Sequence, residues 1–423
     1  NGEMFMAVVK PFKGLRFQKS AGPIEELVCP PYDIISEEER KSFLETNPHN
    51  VIRLELPKEG EDVYKHAADV LKDWLKEGIV ATEDSDKFYI YEEEFEVDGV
   101  RRSFRGVIAR VKLTEFSEGV VIPHENTLSA AKEDRFKLMC ATGCNFSQVY
   151  CLFEDKDKKI TDVLNSAEDA LNAFTDKEGV THRLWTLDAD CGLTDLFKDK
   201  CLYIADGHHR YETALRYRQY EKDNGAALDA ASEYVMMMLV PMESEGLVVF
   251  PTHRVVHSLD NFDGRQMLIN ARVYFHVGEI SSLKGLERHL KSEYKAGRIS
   301  FGAYLDGRYY LLTLKSDHPL SDLLPELHET LRNLDVSVLH SLILEKLMGI
   351  DKENMAKQIN LRYTRDAVDA TEQVNNGANC AFILNPTRVE QIAAVGSAGK
   401  KMPQKATYFY PKLLTGLVMN KIK

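Results

Sequence analysis

Five consecutive residues, Asp206-Gly207-His208-His209-Arg210, place an acid, a glycine, two histidines and an arginine in one short segment. The arginine offers a planar fork of N–H donors that matches phosphate oxygens. A histidine can donate to the same group or titrate near neutral pH. The glycine lets a ligand approach the backbone closely. The combination favours a site that holds a phosphate group.

The elements on either side of this segment must position it. The apolar run 202–205 is typical of a strand, and a helical pattern with Ala214 and Tyr217 on its apolar side follows at once. A helix that begins here would direct backbone N–H groups and the positive end of its dipole into the turn. Two alternatives stay open. One is an aspartate cap beside partly buried histidines, and the other is a metal held by His208 and His209, whose side chains diverge on a starting helix.

The string "IPHENTLSAAKEDR" contains a second cluster of polar side chains. His124 and Glu125 leave a strand, and Asp134 and Arg135 lie at the start of a helix. A carboxylate beside a histidine suits acid–base work or an Mg²⁺-bound water, so His124 and Glu125 are candidate catalytic residues. A surface loop followed by a capped helix is the alternative.

Three further segments carry candidate residues. In "CPPYD" the prolines stiffen the backbone ahead of Asp33, which is either a catalytic base or a turn residue. His253 and Arg254 stand at the start of a strand in "PTHRVV". The string "MPQKATYFYPK" offers side chains for an anion or an acidic substrate: Lys405, Thr407, Tyr408 and Lys412. Edge-strand packing of its alternating tyrosines is the competing interpretation.

Composition and charge restrict the class of protein. The chain has 423 residues, 44% of them hydrophobic and 28% charged, which is typical of globular proteins and predicts two or more domains. A net charge of −12 argues against nucleic acid as the main partner, though not against a local basic pocket. No apolar run approaches the ~20 residues that span a membrane, and the first residues lack the apolar region of a signal peptide. We therefore expect a cytoplasmic protein without a membrane partner.

The cysteines give no metal or disulfide framework. There are 7, scattered along the chain and odd in number, which favours thiols in a reducing cytoplasm. Cys140 and Cys144, with Cys151 beyond them, could be read as zinc ligands, but no second pair completes such a site. No metal ligand is predicted among the site residues.

Strand and helix patterns alternate along the chain without a short repeat. Asp-Gly turns predict β-hairpins over 87–113 and 298–315. "YVMMMLVPM" predicts a buried strand, and residues 159–176 predict a helix. The mixture of hairpins and crossovers predicts an α+β or mixed α/β architecture with a mixed sheet.

Taken together, these strings resemble a bacterial and archaeal family known as domain-of-unknown-function family 1015. The matching stretches run from residue 9 to residue 417 and are "VKPFKGLR", "CPPYDIIS", "NPHNVIRLE", "RGVIARV", "IPHENT", "ADGHHRYETAL", "PTHRVV", "NPT" and "MPQKATYFYPKLLTGL". The resemblance therefore covers nearly the full length of the chain.

The strand, turn and helix around Gly207 are also similar to the nucleotide-phosphate motif of the ParB/sulfiredoxin-like superfamily, which includes free-serine kinases. This resemblance implies an elaborated ParB/sulfiredoxin-like domain with a mixed sheet in 1–258 and a C-terminal α+β domain in 259–423. It implies that residues 206–210 bind the phosphates of ADP or ATP and that L-serine is converted to O-phosphoserine. The kinases use a glutamate near the N-terminus as base, for which Asp33 and Glu125 are the candidates here.

The leading hypothesis is a small-molecule phosphotransferase. The turn and Mg²⁺ would hold the nucleotide phosphates, and Asp33 or Glu125 would accept the hydroxyl proton, with His124 and His209 as further candidate catalytic residues. The residues predicted to bind the substrate are His253, Arg254, Lys405 and Thr407. The chain lacks the glycine-rich and His-Arg-Asp signatures of the common kinases.

Two other functions stay open. One is a nucleotide-binding regulator without phosphotransfer. The other is a metal-dependent hydrolase built on His124, Glu125, His208 and His209. For the C-terminal half, closing the active site and forming a homodimer are both compatible with the sequence.

Overall fold

The computed structural model describes residues 7–125, 127, 129–227, 230–317 and 319–423, with the side chains of 129–131 excepted. The chain divides into two compact units. The first consists of Asn1–Pro123, Thr127–Leu247 and Pro411–Lys423, and the second of His124–Asn126 and Val248–Tyr410. This division differs from the linear boundary after residue 258, because the end of the chain returns to the first unit and pairs Asn420–Lys421 with Cys144–Asn145.

Within its described residues, the first unit is organised around a nine-stranded mixed sheet. Eight strands lie in the order Val121–Ile122, Leu202–Asp206, Val149–Phe153, Tyr234–Pro241, Val100–Lys112, Lys87–Val97, Thr181–Asp188 and Asn172–Thr175, and Val9–Lys10 pairs with Val100–Lys112. Two of the pairings are parallel and the others are antiparallel. The predicted mixed α/β class with a mixed sheet is confirmed.

The central strand of this sheet is the one that the methionine-rich string predicts. Tyr234–Pro241 is buried along its whole length, as expected for a strand that is covered on both faces. The hairpin predicted over 87–113 is also present, with Asp98 and Gly99 both at positive φ in its turn. The helix predicted over 159–176 is wrong in its second half. Residues 172–175 alternate between partly buried and exposed, which is the period of an edge strand.

Helices cover the sheet and form a separate cluster near the N-terminus. The helices of the first unit are Ile24–Leu27, Glu37–Thr46, Ile52–Glu55, Val63–Glu77, Ser129–Thr142, Lys159–Asn165, Leu193–Leu196 and His208–Asp223, with 3-10 turns at Lys19–Ala21, Tyr32–Ile34, Phe116–Glu118 and Ala231–Glu233. Two short strand pairs, Leu15–Phe17 with Val80–Thr82 and Cys144–Asn145 with Asn420–Lys421, complete the unit. Ser36 and Glu39 form a capping box that starts one helix at Glu37.

The second unit contains a six-stranded sheet in which each pairing is antiparallel among the described residues. Its order is Phe275–Ile280, Arg308–Leu314, Ser300–Leu305, Cys380–Leu384, His253–Val256 and Leu361–Thr364, and Val248–Phe250 pairs separately with Tyr408–Tyr410. Its helices are Gly264–Ala271, Leu283–Lys295, Leu320–Leu323, Glu329–Arg332, Asp335–Val338, the π-helix Leu339–Glu345, Lys352–Lys357, Ala367–Asn375 and Val389–Ser397. The predicted hairpin over 298–315 is confirmed, with Asp306 and Gly307 at positive φ. No helix among the described residues has the length and apolarity needed to cross a membrane.

Candidate functional site

The turn between the strand Leu202–Asp206 and the helix His208–Asp223, here called the motif turn (residues 206–210), is built around Gly207. This residue precedes the helix with φ +89°, a left-handed conformation that glycine adopts without strain. A Cβ at this position would lie 2.9 Å from Nε and 3.0 Å from Cζ of Arg210. The Arg210 guanidinium therefore lies against the backbone at the start of the helix, where the first N–H groups have no partner within the helix.

The carboxylate of Asp206 at the motif turn contacts two cations. Asp206 accepts a hydrogen bond of 3.1 Å from Arg210 through Oδ2, and Lys412 Nζ lies 3.4 Å from Oδ1. Burial raises the pKa of Asp206, but the charges of Lys412, Arg210 and the neighbouring His208 outweigh burial and lower the pKa to about 2. Because Asp206 contributes one negative charge and Lys412 and Arg210 contribute two positive charges, the cluster keeps a surplus that suits an anion.

Gln148 connects the motif turn to the last part of the chain. Its main-chain oxygen accepts a hydrogen bond from Arg210 Nη1, and its side-chain amide donates to the main-chain oxygen of Leu414 at 3.1 Å. Leu414 follows Lys412 closely in the chain. Gln148 therefore helps to position Arg210 directly and Lys412 through the backbone that carries it.

The turn that carries Asp33 is tied to the same end of the chain. Cys29 exchanges two backbone hydrogen bonds with Thr415, of 2.8 and 3.3 Å, shortly before Pro31 and the 3-10 turn Tyr32–Ile34. Asp33 is exposed in this turn. Burial raises the pKa of the adjacent Tyr32 to about 12, and the charges of Asp33 and Arg210 both act on its hydroxyl. Asp33 and Arg210 therefore both lie close enough to Tyr32 for their charges to act on its hydroxyl.

A buried ion pair that the sequence did not identify lies beside the motif turn. Arg135 donates to the main-chain oxygen of Glu55 at 2.6 Å and to Asp134, and its Nη1 lies 3.9 Å from the Glu55 carboxylate. Ser147 donates to that carboxylate at 2.8 Å. Burial raises the pKa of Glu55, and the cations of Arg135 and Arg210 act against the rise. Glu55, Arg135 and Arg210 line one cavity of about 50 Å³.

The residues that follow the motif turn anchor the helix. Tyr211 is fully buried, and its hydroxyl donates to the main-chain oxygen of Thr114 at 2.8 Å. The Glu212 carboxylate accepts hydrogen bonds from Thr127 at 2.8 Å and from Lys132 at 2.6 Å. These contacts hold the first turn of the helix from two sides, which pre-organises the backbone N–H groups at its start.

The two histidines of the motif turn differ in exposure. His208 is buried, with 5% of its surface exposed, whereas His209 is partly buried. Among the described residues, no group of three or more His, Cys, Asp or Glu side chains is arranged to hold a metal ion. The buried His208 adds to the charge that acts on Asp206.

The other predicted site residues belong to the second unit, where several of them meet. His124 Nε2 lies 3.0 Å from Thr407 Oγ1, and the main-chain N–H of Lys405 donates to the Glu125 carboxylate at 3.3 Å. Arg254 donates to the main-chain oxygen of Lys405 at 3.1 Å. Lys405 itself has φ +55°, which is uncommon for a residue with a side chain. The strings around 124, 254 and 405 therefore converge within this unit.

Two of these residues are deeply buried. His253 Nδ1 accepts a hydrogen bond of 3.2 Å from the Leu384 backbone, and burial, with the charge of Arg254, lowers its pKa to about 4. Burial lowers the pKa of Arg254 to about 10, so its guanidinium remains charged at neutral pH. His253 is therefore neutral at pH 7 and has a backbone partner that fixes its ring.

Comparison with solved structures finds proteins of low sequence identity. A variant of a free serine kinase in complex with ADP is 12% identical, with 74% of this chain and 92% of that chain covered and a TM-score of 0.36. A conserved hypothetical protein from Pyrococcus furiosus is 15% identical (72% and 90% covered, TM-score 0.34), and SbnI from Staphylococcus aureus is 12% identical (72% and 87% covered, TM-score 0.35). No curated protein matches the chain.

A family model covers most of the chain. It is described as a protein of unknown function, DUF1015, and it matches residues 9–337. The matched range includes Asp33, the buried pair Glu55 and Arg135, and the motif turn. The resemblance inferred from the strings is confirmed, and the chain belongs to the DUF1015 family.

Proposed function

We propose that the first unit binds the phosphates of a nucleotide at the motif turn and transfers a phosphoryl group to a small hydroxyl-bearing substrate. The observation that carries this proposal is the position of the Arg210 guanidinium, which lies against Gly207 at the N-terminus of a 16-residue helix. A helix N-terminus and an arginine fork that face the same point are a recurrent arrangement for phosphate groups.

The charges of the cluster suit phosphoryl transfer. Most of the catalysis in this reaction comes from positioning and from neutralising the charge on the transferred group. Arg210 and Lys412 supply positive charge, and Asp206 contacts both side chains. A bound phosphate would compete with Asp206 for these cations, so the carboxylate holds them ready without neutralising both.

Asp33 is the candidate base in the first unit, since its carboxylate is exposed and its charge, like that of Arg210, acts on the Tyr32 hydroxyl. In the proposed step the substrate oxygen forms a bond to the terminal phosphorus of the donor, the bond to the leaving phosphate oxygen breaks, and the hydroxyl proton passes to Asp33. Glu125, the other candidate from the sequence, belongs to the second unit, where its carboxylate accepts a hydrogen bond from the main-chain N–H of Lys405. His209 remains a candidate for donating to the donor phosphates.

The residues of the first unit are compatible with Mg²⁺ bound mainly through the nucleotide. Mg²⁺ is usually held by substrate phosphates, water and one or two carboxylates rather than by a complete cage of protein ligands. Because Asp206 is engaged by two cations, the donor phosphates and water would supply most of the ligands. The metal would neutralise phosphate charge when bound.

The acceptor named by the motif resemblance is L-serine, and phosphorus NMR tests it directly. The full chain is incubated with Mg²⁺ and L-serine, with ADP and ATP in separate samples, and we expect an O-phosphoserine signal together with AMP or ADP. Saturable nucleotide binding without turnover would instead favour the regulator, in which the motif turn binds nucleotide as a switch.

Substitution of Arg210 tests the phosphate site itself. Arg210→Ala removes charge-assisted hydrogen bonds worth about 1.5–3 kcal/mol, so nucleotide affinity should fall roughly 10- to 100-fold. Arg216→Ala is the matched control, because it removes the same charge from an exposed position of the same helix. Unchanged nucleotide affinity in the Arg210 variant would show that the motif turn does not hold the phosphates.

A further inference from the structure

A cavity of about 460 Å³ in the second unit is lined by residues from three separate strings of the sequence. Arg254 belongs to "PTHRVV", Asn385 and Thr387 belong to "NPT", and Ala406 belongs to "MPQKATYFYPK". Thr387 Oγ1 donates to the main-chain oxygen of Ala406 at 2.8 Å, and this hydrogen bond joins two of these segments. Segments that are far apart in the chain therefore build one wall.

The size of this cavity suits a small metabolite. Ligand pockets in proteins commonly measure about 300–1,000 Å³. The lining contains polar side chains from several elements, among them Asn333, Asn385 and Gln391, as well as apolar ones such as Leu314 and Val336. A few polar groups within a partly apolar wall are typical of sites that orient a bound molecule.

The cations of the lining are only partly balanced by described carboxylates. Arg298 is neutralised by Glu293 through two contacts of 2.6 Å. In contrast, within 248–317 and 319–410 neither Arg254 nor Arg388 forms an ion pair with a carboxylate, and a further cation, Lys315, also lines the cavity. The wall thus presents excess positive charge.

The two unbalanced arginines are held rigidly. Arg254 is 1% exposed and donates to the main-chain oxygens of Thr252 and Lys405. The Arg388 guanidinium lies 4.1 Å from the centre of the Tyr294 ring and donates to the main-chain oxygen of that residue. The charge of Arg254 is buried and has no carboxylate partner among the described residues, which is costly, so an anion in this cavity would relieve an unfavourable arrangement.

One carboxyl group complements these cations. Asp335 lines the same cavity, and burial raises its pKa to about 7, against the effects of Asn385 and Arg388. A carboxyl group at this position can accept a hydrogen bond from an ammonium or hydroxyl group of a ligand. The cavity therefore offers a cationic and an acidic group within one small volume.

We propose that this cavity binds a small metabolite with an oxyanion, either a carboxylate or a phosphate monoester, at Arg254 and Arg388 and a donor group at Asp335. The proposal uses residues of the second unit alone. It is therefore independent of nucleotide binding at the motif turn, and either proposal can fail without the other.

Isothermal titration calorimetry of the full chain tests the site by measuring the affinity for three separate probes: L-serine, O-phospho-L-serine and inorganic phosphate. Binding of the first probe identifies a carboxylate ligand, and binding of the second and third alone identifies a phosphate ligand. Arg388→Met should weaken the binding about tenfold or more, because it removes a charge-assisted hydrogen bond. Arg308→Met is the matched control, since it removes a charge from an exposed ion pair of the same unit that does not line the cavity.

Two further variants separate the possible outcomes. Lys315→Met removes a second lining cation and should weaken binding to a smaller extent, which keeps the test valid if the Arg388 variant does not fold. In Arg210→Ala the binding that remains should still be weakened by Arg388→Met, because Arg210 belongs to the motif turn. The proposal is overturned if no probe binds the unmodified protein, or if Arg210→Ala abolishes binding that the Arg388 and Lys315 variants retain.

Discussion

Replacing Gly207 by alanine separates the backbone of the motif turn from the charge that it supports. Gly207→Ala introduces two effects. The residue must keep φ +89°, and its Cβ would come within 2.9–3.0 Å of the Arg210 guanidinium. A left-handed conformation costs a residue with a side chain about 1–2 kcal/mol. The close contact falls on the movable end of a flexible side chain, so we expect Arg210 to shift rather than the helix to unfold.

A second glycine provides a matched control for the backbone effect. Gly192 also precedes a helix, has φ +88°, and has nothing within 4 Å of the position of its Cβ. Both alanine variants should therefore lower the free energy of unfolding by about 1–2 kcal/mol in urea titrations. Only Gly207→Ala displaces Arg210, so only this variant should lose ADP affinity, by roughly tenfold or more.

The comparison of these variants has a clear negative outcome. If the two variants lose equal stability and Gly207→Ala binds ADP as tightly as the unmodified protein, then the contact between Gly207 and the Arg210 guanidinium has no role in phosphate binding. The assignment of the motif turn as the donor site would then be refuted, even if the protein were a phosphotransferase.

Two further predictions concern a buried acid and a second cation. Burial raises the pKa of Glu93 from 4.5 to about 7, because the folded protein favours the protonated carboxyl group. The free energy of unfolding should therefore fall by about 3 kcal/mol as the pH rises through this range. In urea titrations the fall should be about 3 kcal/mol smaller in Glu93→Gln than in the unmodified protein, and unchanged in Glu96→Gln, an exposed position of the same strand. Lys412→Met should weaken ADP binding about tenfold in calorimetry, whereas the exposed Lys421→Met should not; equal effects would exclude a specific role for Lys412.

The elements that the sequence predicts correctly are those with local signals. Each hairpin is marked by an Asp-Gly pair, whose two residues adopt the positive φ that such turns require. The buried strand Tyr234–Pro241 is marked by an unbroken apolar run. The motif turn is local in the same sense, because a strand, a glycine and a helix start follow each other directly. Residues 172–175 fail this rule, since their strand character depends on pairing with Thr181–Leu184.

The parts of the candidate site that escaped prediction depend on contacts between distant segments. Nothing near Asp206 in the sequence indicates that Lys412 lies 3.4 Å from its carboxylate. Glu55 was identifiable in principle, because it follows the buried Ile52 and Leu54 in a short helix, and a charged side chain in an apolar segment needs a partner. That partner, Arg135, could not be read from the sequence, because it lies on another helix.

The arrangement of the motif turn depends on the end of the chain as much as on the motif itself. Gln148 accepts a hydrogen bond from Arg210 through its backbone and donates to Leu414 through its side chain. The segment that contains Leu414 also carries Lys412 and pairs with Cys29, ahead of Asp33. The segment is therefore hydrogen-bonded to Gln148, the partner of Arg210, and to Cys29, which precedes Asp33. Residues near the end of the chain thus set the distance between the predicted base and the predicted donor site. If this segment were not packed in its native position, the motif turn would still be present, but it would lack the charge arrangement that we propose binds phosphate.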